Sequence, residues 1–325
     1  MFTDFDLLQS YELDAAAHIA HEVERQRPDL KLLNHPGVAL ERFDLLDKLY
    51  KSGKNAVEVV RISGGPRPEH FPLFIRAEDG CAGPEGPIIN SGREYDDAIA
   101  AYKRERRPLK RRIAVRYCAE HDKDGYFRKY GAFIFGDRIV SQHIMRNTDW
   151  VVKSRFRADD EEFVKEEHEY ILSNPHTEWL KEIAQLSGIQ FGRVDYGIFE
   201  GELVVYEINT NPTFPRLQEG VGSPDRLARK GPLMDQIAEA FRLINTSDDA
   251  SNEYIEFSLA DLPNYQRIEL DPPKQFGGNP PTPPPPSKET DTKDAIQERP
   301  QIRMGIFKNT IERMLRNLGL NRSKS

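Results

Sequence analysis

The sequence predicts an α+β protein with several β-hairpins, and two observations lead to this class. Segments with helical and with strand-like spacing of apolar residues alternate along the first 260 residues. Two pairs of strand-like segments are separated by only two residues, which is typical of antiparallel hairpins. One simple parallel sheet is therefore not expected, because parallel strands need long crossover connections.

Charge and composition exclude several classes of function. The chain of 325 residues has 46 Lys and Arg against 53 Asp and Glu, a net charge of −7, which argues against general binding to nucleic acid. Its apolar runs are shorter than the roughly 18 residues of a membrane-spanning helix, and its first residues lack the pattern of a signal peptide. Two cysteines are too few for a disulfide framework. We therefore expect a cytoplasmic protein without a nucleic-acid partner.

The first half of the chain is predicted to contain three helices and four strands. Pro28 closes the first helix, Gly53 ends the second, and Ser91 with Glu94 forms a capping box that opens the third. Because of these signals and the apolar spacing, we expect helices at 10–27, 39–52 and 91–106. Apolar and β-branched runs predict strands at 30–33, 57–62, 71–77 and 112–118.

The second half is predicted to contain two hairpins and three helices. The first hairpin joins 127–135 to 138–144, and the second joins 189–199 to 202–209. Apolar residues at helical spacing, with Gly188 as a stop signal, predict helices at 159–173, 177–187 and 232–244.

The composition changes sharply near residue 271. Eight of the 23 prolines lie at 271–286, so we predict a Pro-rich, disordered linker over 261–302. Apolar residues at helical spacing then combine with six Lys or Arg and one Glu, which predicts a basic amphipathic helix at 303–325. Such a helix suits a membrane surface or a protein groove, and the alternative is that it docks on the acidic body of the chain.

A candidate metal site lies in the second hairpin. Asp195 interrupts a strand-like apolar run, and Glu207 and Asn209 are two residues apart on the next strand, so their side chains share a face. Oxygen ligands of this kind suit Mg²⁺, which takes its remaining ligands from water and phosphates. The alternative is that these are solvent-facing polar residues of an ordinary hairpin.

The metal hypothesis requires a particular register in this hairpin. A two-residue turn without any irregularity would pair Asp195 with Tyr206, and Asp195 would point away from the face of Glu207. A three-residue loop or a β-bulge would pair Asp195 with Glu207 instead. We predict this second register.

The motifs GRVD at 192–195 and EINTNP at 207–212 resemble the C-terminal signature of the ATP-grasp superfamily, which includes D-alanine–D-alanine ligase and ligases that add glutamate to ribosomal proteins. The resemblance runs from about residue 33 to residue 212. It implies two lobes with antiparallel sheets that clamp ATP, with Mg²⁺ held by Asp195, Glu207 and Asn209. It also implies that Arg193 stabilises charge at the reacting centre, although Arg193 could instead pair with a nearby carboxylate.

The same resemblance implies residues that bind the nucleotide. Lys48, in an Asp-Lys pair on a helix, would contact the phosphates, the alternative being a solvated helix face. Arg76 stands at the end of a strand where Lys is usual in the superfamily, and Arg128 is a further catalytic candidate. A loop of small residues, Gly80, Ala82 and Gly83, would lie over the phosphates. A segment that contains Tyr117 and Cys118 would lie beside the adenine.

These implications define the expected organisation and function. We expect a shortened remnant of a preceding domain at 1–36, a first lobe at 37–118 and a second lobe with the metal site at 119–260. The resemblance implies an ATP- and Mg²⁺-dependent ligase that activates a small-molecule or peptide carboxylate as an acyl phosphate for attack by an amine or a similar nucleophile. The alternatives are a kinase of the same fold acting on a hydroxyl group and a non-catalytic nucleotide-binding scaffold.

Overall fold

The computed structural model describes residues 1–80, 82–152, 160–215, 224–245, 254–257 and 302–305. In these ranges the chain forms a short 3₁₀ helix at Phe5–Leu7, six α-helices and nine β-strands. The helices are α1 Ser10–Gln26, α2 Arg42–Lys51, α3 Gly92–Arg104, α4 Glu161–Ser173, α5 Thr177–Ser187 and α6 Pro224–Ile244. The strands are β1 Val59–Arg61, β2 Leu73–Ala77, β3 Arg112–Arg116, β4 Phe127–Phe135, β5 Arg138–Asn147, β6 Phe191–Phe199, β7 Glu202–Asn209, β8 Tyr254–Phe257 and β9 Ile302–Gly305. The predicted α+β class is confirmed.

The first main sheet has three antiparallel strands in the order β1-β3-β2. Alternate residues of a strand point to opposite faces. Helix α3 covers one face, where Ile75 and Tyr102 belong to one apolar cluster. On the opposite face, Phe74 and Arg76 point into the cavity between the sheets. Helix α3 begins at the predicted capping signal, because the Ser91 hydroxyl accepts the N–H of Glu94 at 3.3 Å.

The second main sheet has four antiparallel strands in the order β5-β4-β6-β7. Helix α5 packs on one face, where the rings of Trp179 and Tyr196 lie 5.6 Å apart. Helix α6 packs on the other face, where the rings of Phe135 and Phe241 lie 4.9 Å apart. One continuous apolar core joins these helices, helix α2 and both main sheets, so the two sheets are held against each other.

The strand predicted at 30–33 does not form, because Asn34 attaches this segment to the second sheet through its side chain. The Asn34 amide oxygen accepts the N–H groups of Gln190 and Phe191 at 2.8 and 2.9 Å. Its amide nitrogen donates to the Phe191 carbonyl at 2.7 Å. A side chain therefore makes the hydrogen bonds that a strand ladder would otherwise supply.

The C-terminal part also departs from prediction. Helix α6 begins at Pro224, and Pro232, expected as the first residue of this helix, lies inside it. Residues 302–305 were expected at the junction of the linker and the tail helix, but they form β9, antiparallel to β8. Their alternation of apolar and polar residues fits a strand as well as a helix. The rest of the predicted linker and tail helix lies outside the described residues.

Among the described helices, none is long and apolar enough to cross a membrane.

Candidate active site

A cavity of about 670 Å³ lies between the two main sheets. Phe74, Arg76 and Val115 form its wall on the first sheet. The opposite wall comes from strands β4 to β7 of the second sheet, and helix α4 closes one end. Cavities of this size are typical of sites for small ligands and cofactors.

The hairpin β6–β7 brings the predicted metal ligands to this cavity by means of a β-bulge. A two-residue turn at Glu200 and Gly201 pairs Phe199 with Glu202. The register then shifts between Asp195 and Tyr196, so that Tyr196 faces Val205 and Asp195 faces Glu207. The predicted register is therefore confirmed, through the bulge and not through a longer loop. Asp195, Glu207 and Asn209 all line the cavity.

Two cations hold the carboxylate of Asp195, whose side chain is only 2% exposed. Lys129 Nζ lies 2.8 Å from Oδ2, and Arg193 Nε lies 2.7 Å from Oδ1. Burial by itself would raise the pKa of Asp195, but the charges of Lys129 and Arg193 outweigh it and keep the pKa below its usual value. Asp195 is therefore an ionised carboxylate at neutral pH. Arg193 thus pairs with a nearby carboxylate, which was the alternative to its predicted role at the reacting centre.

Two further cations contact Glu207. Arg42 Nη2 lies 2.8 Å and Arg76 Nη2 lies 3.5 Å from Glu207 Oε2. The two carboxylates and the four cations that contact them thus carry two positive charges in excess. Such a site attracts a polyanion such as a chain of phosphates.

The donor set fits Mg²⁺. Asp195 and Glu207 offer carboxylate oxygens and Asn209 offers an amide oxygen, which are the hard ligands that Mg²⁺ takes. The amide nitrogen of Asn209 is buried and has no hydrogen-bond partner among the described residues, so no protein group there fixes this amide. We conclude that these residues could hold the ion.

Aromatic side chains cluster in one part of the cavity wall. The Trp150 ring lies 5.1 Å from Phe74 and 5.3 Å from Tyr117, measured between centroids. Tyr117 and Cys118, predicted to lie beside the adenine, line the cavity as well. Burial raises the pKa of the Cys118 thiol to about 12, so the group stays neutral. A flat apolar ring fits between such walls.

The predicted phosphate-binding loop reaches the cavity in part. Arg76 and Gly83 line it, whereas Gly80 and Ala82 do not. Gly80 lies close by, because its carbonyl accepts a hydrogen bond from Arg76 Nη2 at 3.4 Å. Gly80 and Gly83 adopt φ angles of 77° and 87°, a region that favours glycine.

Lys48 is not brought to the cavity. Its ammonium group donates to the Leu186 carbonyl at 2.8 Å, at an exposed position between α2 and α5. The basic residue of α2 at the site is Arg42, which is buried and reaches Glu207 from the first turn of the helix. The predicted role of Lys48 in phosphate binding therefore has no geometric support. Lys48 lies on an exposed helix face, which was the alternative.

Arg128 lines the cavity, but three carboxylates hold its guanidinium group. Its nitrogen atoms lie 2.8 Å from Asp122, 2.6 Å from Asp124 and 2.7 Å from Glu166. The hydrogen bond to Asp124 is the main reason why the pKa of Arg128 is raised, and it lowers the pKa of Asp124 to about 2. Arg128 and these carboxylates form an ion-pair network that stabilises the structure. This geometry does not support the predicted catalytic role of Arg128.

Sequence reasoning missed several residues of the site. Lys129 and Arg42 contact the carboxylates, and Gln142 and His143 of β5 are buried in the cavity wall beside them. None of these residues was assigned a role in the site from the sequence, because nothing local links them to the two carboxylates. The only local signal for Lys129 is its place on a strand that the sequence predicts.

Comparisons with known proteins give structural matches only. No protein-family model matches the chain, and no curated protein sequence matches it. Among solved structures, a D-alanine–D-alanine ligase from Bacillus anthracis complexed with ATP is 12% identical, with 72% of this chain and 76% of that chain covered and a TM-score of 0.41. A D-alanine–D-alanine ligase from Coxiella burnetii is 14% identical, with coverages of 63% and 58% and a TM-score of 0.38. A RimK domain ATP-grasp protein from Sphaerobacter thermophilus is 13% identical, with coverages of 71% and 77% and a TM-score of 0.38.

Proposed function

We propose that this protein is an ATP- and Mg²⁺-dependent ligase that activates a carboxylate for attack by an amine or a similar nucleophile. One observation carries the proposal. The bulge in β6–β7 places Asp195, Glu207 and Asn209 on one face, beside Arg193 and Arg76, at a cavity large enough for a nucleotide. This combination of hard oxygen ligands and guanidinium groups suits a metal-bound polyphosphate.

The cavity offers different chemistry at its two parts. Trp150, Phe74 and Tyr117 supply flat apolar surface for a nucleobase. The polar wall, with Asp195 and Arg193 on the second sheet, supplies charges for phosphates. A nucleoside triphosphate needs both kinds of surface, so ATP fits the cavity better than an apolar ligand or an inorganic anion.

The residues present can support phosphoryl transfer from ATP to a carboxylate. The carboxylate oxygen would attack the γ-phosphorus, the bond to the β,γ-bridging oxygen would break, and ADP would leave with that electron pair. Mg²⁺, when bound, would neutralise phosphate oxygens. Arg193 and Arg76 would stabilise the charge that develops there, because fixed guanidinium groups in a partly buried site need little reorganisation.

The second half of the reaction would release the phosphate. A neutral amine would attack the carbonyl carbon of the acyl phosphate, the C–O bond to phosphate would break, and the amine would lose one proton. Burial of this chemistry matters because water would otherwise hydrolyse the acyl phosphate. The site lies between two packed sheets, and Asp195 at its floor is almost fully buried.

The test is ADP release by the purified protein. We would incubate the protein with ATP and Mg²⁺ against pools of amino acids and small carboxylates, and follow ADP and any condensed product by mass spectrometry. Asp195→Asn should lose turnover, whereas Asp137→Asn, an exposed residue in the β4–β5 turn, is the matched control and should keep it. ADP formed together with an amide product supports the ligase.

Other products would separate the ligase from its alternatives. ADP formed with a phosphorylated hydroxyl compound would identify a kinase and refute the ligase. ATP binding without ADP release against any pool would favour a nucleotide-binding scaffold. Failure to bind ATP in the presence of Mg²⁺ would refute all three.

A further inference from the structure

We propose that Lys129 acts as a built-in cation of the site: it occupies Asp195 in the nucleotide-free protein, keeps divalent metal away, and binds phosphate once the nucleotide arrives. This inference rests on the proposed function, because it assigns a role at the same site. No sequence motif indicated it. The positions of strands β4 and β6 in the sheet bring the two residues together.

The register of the sheet directs Lys129 to Asp195. Gly131 of β4 faces Asp195 of β6, and Lys129 lies two residues from Gly131 on the same face. Gly131 has no side chain that could separate Lys129 from Asp195. The ring of His143 lies against Gly131, so a Cβ atom at position 131 would lie 2.5 Å from that ring. The side chain of Lys129 therefore reaches the carboxylate directly, at 2.8 Å.

Both oxygen atoms of Asp195 are engaged in this arrangement. Arg193 holds Oδ1 at 2.7 Å and Lys129 holds Oδ2 at 2.8 Å. A divalent ion that binds Asp195 must displace at least one of these cations or lie beside them, and repulsion opposes both events in a partly buried site. We therefore infer that the nucleotide-free protein binds metal weakly.

Lys129 is better suited than Arg193 to change partner. A lysine carries a compact charge on a flexible stem, whereas an arginine binds through a planar fork with fixed geometry. The Lys129 side chain lines the cavity and is 22% exposed, so a ligand can reach it. When the phosphates and their metal ion enter, the ammonium group would exchange the Asp195 oxygen for a phosphate oxygen, and Asp195 would become available to the metal.

A purely structural role predicts something different. If Lys129 only neutralises a buried carboxylate, its removal should lower stability and weaken the binding of metal-free ATP only by the screened effect of one lost charge, about twofold. If it binds phosphate directly, that affinity must fall by about tenfold. The two roles are therefore separated by binding measurements that need no turnover.

The experiment uses the full chain and two probes. Mn²⁺ binding to the nucleotide-free protein is followed by electron paramagnetic resonance, and ATP binding in the presence of EDTA is followed by calorimetry. We would compare wild type with Lys129→Met and with the exposed control Lys103→Met. Lys129→Gln is added in case the methionine variant does not fold, because glutamine keeps a hydrogen-bond donor for Asp195. Both Lys129 variants should bind Mn²⁺ about tenfold more tightly than wild type and metal-free ATP about tenfold more weakly. The control should match wild type.

Two results would overturn the inference. One is nucleotide-free wild type that binds Mn²⁺ as tightly as the Lys129 variants, and the other is an affinity for metal-free ATP in those variants that stays within about twofold of wild type. The Mn²⁺ measurement does not involve ATP, so it remains decisive if the proposed ligase activity is absent. Wild type that binds ATP normally but forms no product would refute the ligase and leave the role of Lys129 in place.

Discussion

Replacing Asn209 by alanine tests the proposed metal site with little disturbance of the fold. The amide nitrogen of Asn209 is buried without a hydrogen-bond partner among the described residues. An unpaired buried donor costs about 1–3 kcal/mol, and Asn209→Ala removes that cost. The lost packing of the same side chain costs a similar amount, about 1–3 kcal/mol for a partly buried group. We therefore expect the free energy of unfolding to change by less than about 1 kcal/mol, or a Tm shift below about 4 °C.

The effect on turnover should be much larger than the effect on stability. Asn209→Ala removes an amide oxygen, the proposed ligand, from the face that also carries Glu207 and its partner Asp195. Loss of one group that stabilises charge in a transition state typically lowers kcat by about 10²-fold or more. We expect a loss of that order in Mg²⁺-dependent ADP release.

A neighbouring asparagine provides the control. Asn211 is exposed, and its amide nitrogen donates to both carboxylate oxygens of Asp4 at 2.8 Å. Asn211→Ala should keep turnover within about twofold and lower stability by about 0.5–1.5 kcal/mol, the value of one lost surface hydrogen bond. ADP release is measured with a coupled assay, and Tm is measured without nucleotide. Unchanged turnover in Asn209→Ala, or equal losses in both variants, would refute the assignment of Asn209 as a ligand.

Three further predictions concern residues whose positions differ from or add to the sequence interpretation. Arg128→Met should lower stability by about 1–3 kcal/mol, because three carboxylates lose their partner, and should change ATP affinity by less than about threefold; a large loss of affinity at unchanged Tm would restore its catalytic role. Lys48→Met should leave ATP affinity within about twofold, since its ammonium group contacts only the Leu186 carbonyl among the described residues, and calorimetry would show otherwise. Burial raises the pKa of Cys118 from 9.0 to about 12, so at pH 9 iodoacetamide should label Cys118 about 10²-fold or more slowly in the native protein than in urea, with labelling rising as the pH approaches 12. Equal rates of labelling, read by peptide mass spectrometry, would contradict that burial.

The elements of the fold could largely be predicted because their signals are local. Helices α1, α3 and α5 and both hairpins follow from apolar spacing, caps and short turns within a few residues of each element. The strand at 30–33 could not be excluded in this way. Its absence depends on the hydrogen bonds that the Asn34 side chain accepts from Gln190 and Phe191, more than 150 residues along the chain, and no periodicity in the sequence indicates such a contact.

The residues of the candidate site likewise fall into those that local signals predict and those that depend on contacts distant in the sequence. Asp195, Glu207 and Asn209 belong to one hairpin, so a motif and the alternation of side chains were enough to place them together. Two of the four cations that contact these carboxylates, Arg193 and Arg76, were also predicted. The other two came from elsewhere: Lys129 is 66 residues from Asp195, and Arg42 is 165 residues from Glu207. Their positions depend on the order of strands and on the packing of α2, which a single sequence does not reveal. The sequence therefore indicated two carboxylates and two guanidinium groups, and the excess of positive charge, from Lys129 and Arg42, emerged only from the structure.

One inserted residue connects the face that carries the two carboxylates with the segment that contains Tyr117 and Cys118. The bulge that places Asp195 opposite Glu207 leaves Tyr206 as the extra residue of β7. Its hydroxyl group donates to the Cys118 carbonyl at 3.2 Å, in the segment that leaves the first sheet. Gly197 makes room for this side chain, since a Cβ atom there would lie 2.2 Å from the Tyr206 oxygen. The register of the carboxylates and the position of the segment with Tyr117 and Cys118 therefore depend on the same local irregularity, and a change that removed the bulge would disturb both parts of the site together.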